Sequence, residues 1–116
     1  MDITTNEENG ICIAALSGKF NTANATDAES ALMELLDQGK HSLLLDFSGV
    51  DYIASSGLRV LLKLAQRMKN EGGKLRLCSA NDSVNDVFRI SGFDKILEIH
   101  ESKQQALQGF GETAGA

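Results

Sequence analysis

The chain has 116 residues, enough for one domain of ordinary size and too few for two. Its 42% hydrophobic and 23% charged residues match globular usage, which excludes a disordered or fibrous chain and requires a buried core. Eleven Lys and Arg against sixteen Asp and Glu give a formal charge of -5, a field that repels phosphate backbones and anionic headgroups and argues against nucleic acid as a partner.

The acidic start Met1-Asp2-Ile3-Thr4-Thr5-Asn6-Glu7-Glu8 has neither the basic nor the apolar region of a signal peptide, so export is not expected. Residues 2 to 8 read as an edge strand that pairs with the next one across Asn9-Gly10, a strong hairpin signal. Ile11 to Leu16, bounded by Gly10 and Gly18, reads as a buried strand. It is the longest apolar run and falls far short of the roughly 20 residues a bilayer crossing needs, so a soluble, cytoplasmic protein without membrane insertion is expected. From Asn24 to Gln38 the period changes to 3.6, with Ala25, Ala28, Leu32, Leu35 and Leu36 on one face. This predicts an amphipathic helix, with Thr26 and Glu29 as a capping box and Gly39 as its stop.

Leu43-Leu44-Leu45-Asp46-Phe47 is continuous rather than alternating, as in a central strand covered on both faces. A loop carrying Val50, Tyr52 and Ile53 is expected to lead to Ala54-Ser55-Ser56-Gly57. A helix then buries Leu58, Leu61, Leu62, Ala65 and Met68 and stops at Gly72-Gly73. Lys74 to Ser79 predicts a further strand. Asn81 caps a short helix burying Val84, Val87 and Phe88 up to Gly92, and Ile96 to Ile99 gives the last strand. Ser102 and Gln105 form a capping box before a final helix, and residues 109 to 116 are small and polar enough to fray. The expected fold is α/β, a mixed sheet with about four helices packed on it, as one domain over 1–108 with a tail over 109–116.

Little in the chain carries chemistry. Cys12 and Cys78 form no C-x-x-C or Cys/His cluster and read as small buried hydrophobes. His41 and His100 fall at strand ends outside any motif, and neither a metal site nor a cofactor fingerprint is present. With 5% aromatics and no Trp, there is no platform for stacked bases. The exception is Ala54-Ser55-Ser56-Gly57. A hydroxyl at a helix N-terminus meets unpaired N–H groups and the positive end of the macrodipole, which suits a phosphate. Ser is also among the best N-caps and Gly permits a tight turn, so from these four residues alone plain capping is the expected reading.

Taken over a longer stretch, Leu44-Leu45-Asp46-Phe47-Ser48-Gly49-Val50-Asp51-Tyr52-Ile53-Ala54-Ser55-Ser56-Gly57-Leu58 resembles the signature of the STAS domain in the form found in bacterial anti-sigma-factor antagonists. Leu16-Ser17-Gly18-Lys19-Phe20-Asn21 upstream resembles the strand that opens onto the family's first long helix. Gly72-Gly73-Lys74-Leu75-Arg76-Leu77-Cys78 and Val87-Phe88-Arg89-Ile90-Ser91-Gly92-Phe93-Asp94-Lys95-Ile96 resemble its later elements, so the likeness spans nearly the whole chain in order.

The resemblance implies a mixed sheet with helices on one side, and a protein-protein switch rather than an enzyme. It implies binding to an anti-sigma factor that is also a serine kinase. Phosphorylation of Ser55, with Ser56 as second choice, would abolish that binding, and a serine phosphatase would restore it. The partner face would comprise Asn21, Thr22, Ser55, Ser56, Gly57, Leu58 and Arg59. The chain has Ala54 where the family usually has Asp, and Asn21 where it often has an acidic residue. These two departures motivate an alternative, an unphosphorylated STAS subunit docked on a membrane transport complex. A hydrolase built on the serine pair lacks a base.

Overall fold

The computed structural model describes residues 1–114, with side chains described through residue 108. Strand β1 (Asp2–Glu8) turns through Asn9 and Gly10 into β2 (Ile11–Phe20), followed by α1 (Ala25–Asp37), β3 (Ser42–Ile53) and α2 (Ser55–Asn70). Then come β4 (Lys74–Cys78), α3 (Asp82–Ser91), a 3-10 turn (Phe93–Lys95), β5 (Glu98–His100) and α4 (Lys103–Ala114). The hairpin forms as the sequence predicts. Asn9 and Gly10 have φ of 53° and 80°, the paired left-handed conformation of a two-residue turn that matches strand twist, and Glu8 faces Ile11 across it.

The five strands lie in sequence order, β1 antiparallel to β2 and the other pairs parallel. Each parallel step moves one strand in the same direction, so right-handed crossovers put α1, α2 and α3 on the same face. There they bury Cys12, Ala14, Leu16, Leu43, Leu45, Phe47 and Leu77. The alternate residues of the same strands, Ile11, Ile13, Leu44 and Cys78, are covered by Ala106 and Leu107 of α4. The expectation of helices on one side is therefore corrected: α4 packs on the opposite face. The unbroken Leu43-Leu44-Leu45 run already required such a cover, because a bare face would leave Leu44 in water.

Other boundaries shift for local reasons. Val50, Tyr52 and Ile53 were expected in a loop but belong to β3, because β2 runs on to Phe20 and pairs Gly18 with Val50, Lys19 with Tyr52 and Phe20 with Ile53. The last strand is Glu98–His100 rather than 96 to 99, since Phe93–Lys95 winds into a 3-10 turn that leaves Ile96 exposed. The Thr26/Glu29 capping box does not form: Asn24 is the N-cap of α1, and Glu29 instead pairs with Lys63 of α2 at 3.2 Å. Asn81 does cap α3, accepting from the Val84 N–H at 2.8 Å, and Ser102 Oγ accepts from the Gln105 N–H at 3.2 Å at the start of α4. The α4 backbone continues to Ala114, and the frayed tail expected over 109–116 falls on residues whose side chains lie outside the described ones.

Both cysteines are buried, on opposite faces of the sheet, and burial pushes both thiols up. A charged clamp joins the C-terminal ends of α1 and α2. Arg67 of α2 donates from Nη2 to Asp37 at 2.6 Å and from Nε to Glu71 at 2.7 Å, and His41 Nε2 lies 3.1 Å from Glu71. The Arg67 hydrogen bond, with help from His41, holds the Glu71 carboxyl below its usual range.

Candidate functional site

The long tails of β2 and β3 set the position of the serine pair. Ala54, the residue after β3, donates its N–H to the Phe20 carbonyl at 2.8 Å, which fixes the start of α2 at the end of β2. Gly57 then lies flat on the sheet. A Cβ there would come within 2.9 Å of both Phe20 Cδ1 and Ile53 Cγ1, so only glycine permits this approach. Leu58 follows into the core and is 9% exposed.

The loop between β2 and α1 forms the other wall. Asn21 and Asn24 are cross-bonded, each N–H donating to the other's side-chain oxygen at 3.0 and 3.2 Å, while Asn24 Nδ2 donates to the Lys19 carbonyl at 2.6 Å. This explains why Asn24 sends no side-chain bond into its own helix. The ordered loop presents Thr22, whose Oγ1 lies 3.2 Å from Ser56 Oγ. The two walls, 34 residues apart in sequence, thus meet at a hydroxyl pair.

Plain capping does not account for the serines. The N-cap of α2 is Ala54, with φ -92° and ψ 170°, and it offers no side-chain oxygen. Ser55, Ser56 and Gly57 are therefore the first three residues inside the helix, where backbone N–H groups have no intrahelical acceptor. The first turn holds no acidic residue. Ser55 is exposed at this uncapped positive end, and Arg59 is exposed one turn further along, at the i+4 spacing that places two side chains on the same helix surface. A phosphoryl group on Ser55 would meet donors from two directions.

Of the residues expected to form the partner face, Thr22, Ser55 and Arg59 are exposed and Asn21 and Ser56 half-buried. Gly57 and Leu58 are buried and instead seat the helix under that face. The structure adds Tyr52 and Lys19, paired in register at the ends of β3 and β2, with Tyr52 52% exposed. An aromatic between Asp51 and Ile53 would have signalled this had the segment been read as strand. Among the described residues, no cluster of His, Cys, Asp or Glu is placed to hold a metal ion.

Comparison with known proteins agrees with this geometry. The family model of the STAS domain matches residues 2–106. The chain is 38% identical over 110 residues, 95% of each chain, to BtrV of Bordetella bronchiseptica, an anti-sigma factor antagonist candidate. Among solved structures, it resembles an anti-sigma factor antagonist candidate from Thermotoga maritima with a TM-score of 0.87, at 23% identity and 92% coverage of both chains. It also resembles the Bacillus cell fate determinant SpoIIAA in its phosphorylated form, with a TM-score of 0.70 at 14% identity, over 94% of this chain and 99% of that one. At these identities the two structures establish the fold.

Proposed function

Since this chain belongs to the STAS domain family, with anti-sigma factor antagonists among its relatives, we propose that it frees a sigma factor by binding the anti-sigma factor that holds it. The family's antagonists are binding proteins rather than enzymes, so the chemistry on this chain is done to it by others. In this reading the partner docks on Asn21, Thr22, Ser55, Ser56 and Arg59 and is itself a serine kinase. It transfers the γ-phosphoryl group of ATP to Ser55 Oγ and releases ADP. A serine phosphatase hydrolyses the ester and resets the switch in the cytoplasm.

The observation that carries the proposal is the placement of Ser55: exposed, inside the first turn of α2, at a helix N-terminus without a side-chain cap. A phosphate there adds about -1.5 to -2 charges. The uncapped amides and Arg59 hold it in place, so the modified chain keeps its fold. The partner meets a hydrated dianion where it previously met a hydroxyl, and a desolvated contact is lost. That SpoIIAA has been solved phosphorylated on the same fold supports a fold that tolerates the modification.

Incubation with the cognate anti-sigma kinase and ATP, read by intact mass and peptide fragmentation, tests this. One phosphate is expected, absent from Ser55→Ala, with loss of kinase binding after modification. A chain that gains no phosphate, or one that survives Ser55→Ala and is lost in Ser56→Ala, sinks the assignment to Ser55. Ala54 and Asn21 favour a second reading, a docking subunit of a membrane transport complex that uses the same face unmodified. Native purification that recovers a transport ATPase and no kinase would select it.

A further inference from the structure

Of the eleven cationic side chains, six are ion-paired with carboxylates among the described residues. Of the other five, Lys19 pairs with Tyr52 at the end of β2 and Arg59 lies one helical turn after Ser55. The remaining three, Lys69, Lys74 and Lys95, surround a single groove. It is an open trough of about 750 Å³ between the second half of α2, the Gly72-Gly73 turn, the start of β4 and the segment leading into β5. Leu62, Ala65, Met68, Leu75 and Leu97 supply apolar lining, and Ile96, 57% exposed, stands on the rim. Its one carboxylate, Glu98, is held by Arg76 at 2.9 Å.

We propose that this groove docks an acidic amphipathic helix of a partner protein. On a chain of net charge -5 the groove is a local reversal of sign, so an acidic segment repelled elsewhere is attracted here. The three lysines come from three different elements, α2, β4 and the 3-10 turn, and their long stems flank the apolar floor while their heads stay in water. An apolar stripe bordered by Glu and Asp complements that arrangement, the helix-in-groove mode of recognition. A trough open to solvent along its length does not enclose a small molecule, whose sites bury most of the ligand surface. The groove runs along α2 from Leu62 to Lys69, about 10 to 21 Å from Ser55 by the helical rise, and so is a surface separate from the serine site.

The test is titration of 15N-labelled protein with a synthetic helix about five turns long, Leu on one stripe and Glu beside it, against a scrambled peptide of the same composition. Saturable shifts are expected at the amides of Leu62, Ala65, Lys69, Leu75 and Leu97, with affinity falling as salt rises. The Lys69→Glu/Lys74→Glu/Lys95→Glu variant should bind at least tenfold more weakly. The milder triple Lys→Ala variant should fall between it and the parent, and Ser55→Asp should bind as the parent does. Shifts elsewhere, equal binding of the scrambled peptide, or no groove shifts up to about 1 mM peptide would overturn the proposal. Saturation of the same amides by dodecanoate but not by the peptide would overturn it in favour of a small-amphiphile site.

Discussion

Replacing Ala54 by Asp tests the reading of the α2 N-terminus most directly. Ala54 already has the extended backbone from which an N-cap side chain reaches the amides of the second and third helical residues, here Ser56 and Gly57. An Asp at this position gains that bond without moving the chain. Losing such a cap typically costs about 0.5–2 kcal/mol, so the gain for Ala54→Asp should be about 1 kcal/mol. That is a roughly fivefold change in the folding equilibrium and about 3–6 °C in Tm for a domain of this size. Urea unfolding at neutral pH measures it, and repetition near pH 3 should shrink the gain as the carboxylate protonates. Ser55→Glu alone should stabilise by about 0.3–1 kcal/mol through the macrodipole. In the double variant two neighbouring carboxylates compete for the same amides and repel, so the gains should sum to less than their separate values. No gain at neutral pH, or full additivity in the double variant, would refute the claim that the amides beside Ser55 are unclaimed and shared.

Gly57→Ala sets two effects against each other: alanine's helix preference, worth up to about 1 kcal/mol, and a Cβ driven to 2.9 Å from Phe20 and Ile53, for which overpacking costs about 1–3 kcal/mol. The clash should win by about 1 kcal/mol in urea unfolding, with weaker binding of the anti-sigma partner as the start of α2 lifts; a stabilised variant would contradict the packing described. Glu71→Gln breaks the clamp to Arg67. Because the folded-state carboxyl of Glu71 lies below its ordinary value, the stabilisation is present above the ordinary carboxylate range and is lost as pH falls through the depressed value. The stability gap between parent and variant should therefore close in acid, and a gap that widens there would show the sign to be wrong.

The order of elements was legible because the hydrophobic period changes cleanly from strand to helix, and because Asn9-Gly10, Asn81 and Ser102 act through local backbone bonds that need no tertiary context. What the pattern missed depended on contacts distant in sequence. The tail of β3 carries Asp51 and Tyr52 in a run too polar to read as strand, and only its pairing with Lys19 and Phe20 makes it one. Thr26 and Glu29 have capping-box spacing, but Asn24 is tied to Asn21 and Lys19, so the helix starts one residue after Asn24. The helical period already put Leu58 in the core, as the structure does, and only the family resemblance placed it on the partner face; what the sequence does not show is that Gly57 brings the helix flat onto Phe20. The cationic groove joins α2, β4 and a 3-10 turn, and no single segment announces it.

The way α2 is held also constrains how a switch at Ser55 works. Its inner face, Leu58, Val60, Leu61, Leu64 and Met68, is buried along about three turns, and both ends are fixed. Gly57 rests on Phe20 and Ile53 at one end, and at the other Arg67 binds Asp37 of α1. Moving such a helix would open cavities costing several kcal/mol, more than the roughly 0.3–1 kcal/mol a charge gains from a helix terminus. A phosphate on Ser55 thus lacks the leverage to drive a rearrangement of the core, and its effect is expected at the surface it alters. A local charge of this kind would exclude a partner from the serine face while leaving the lysine groove towards the other end of the same helix unchanged. If both proposed surfaces are used, the rigidity of α2 would let one short chain carry two contacts under separate control.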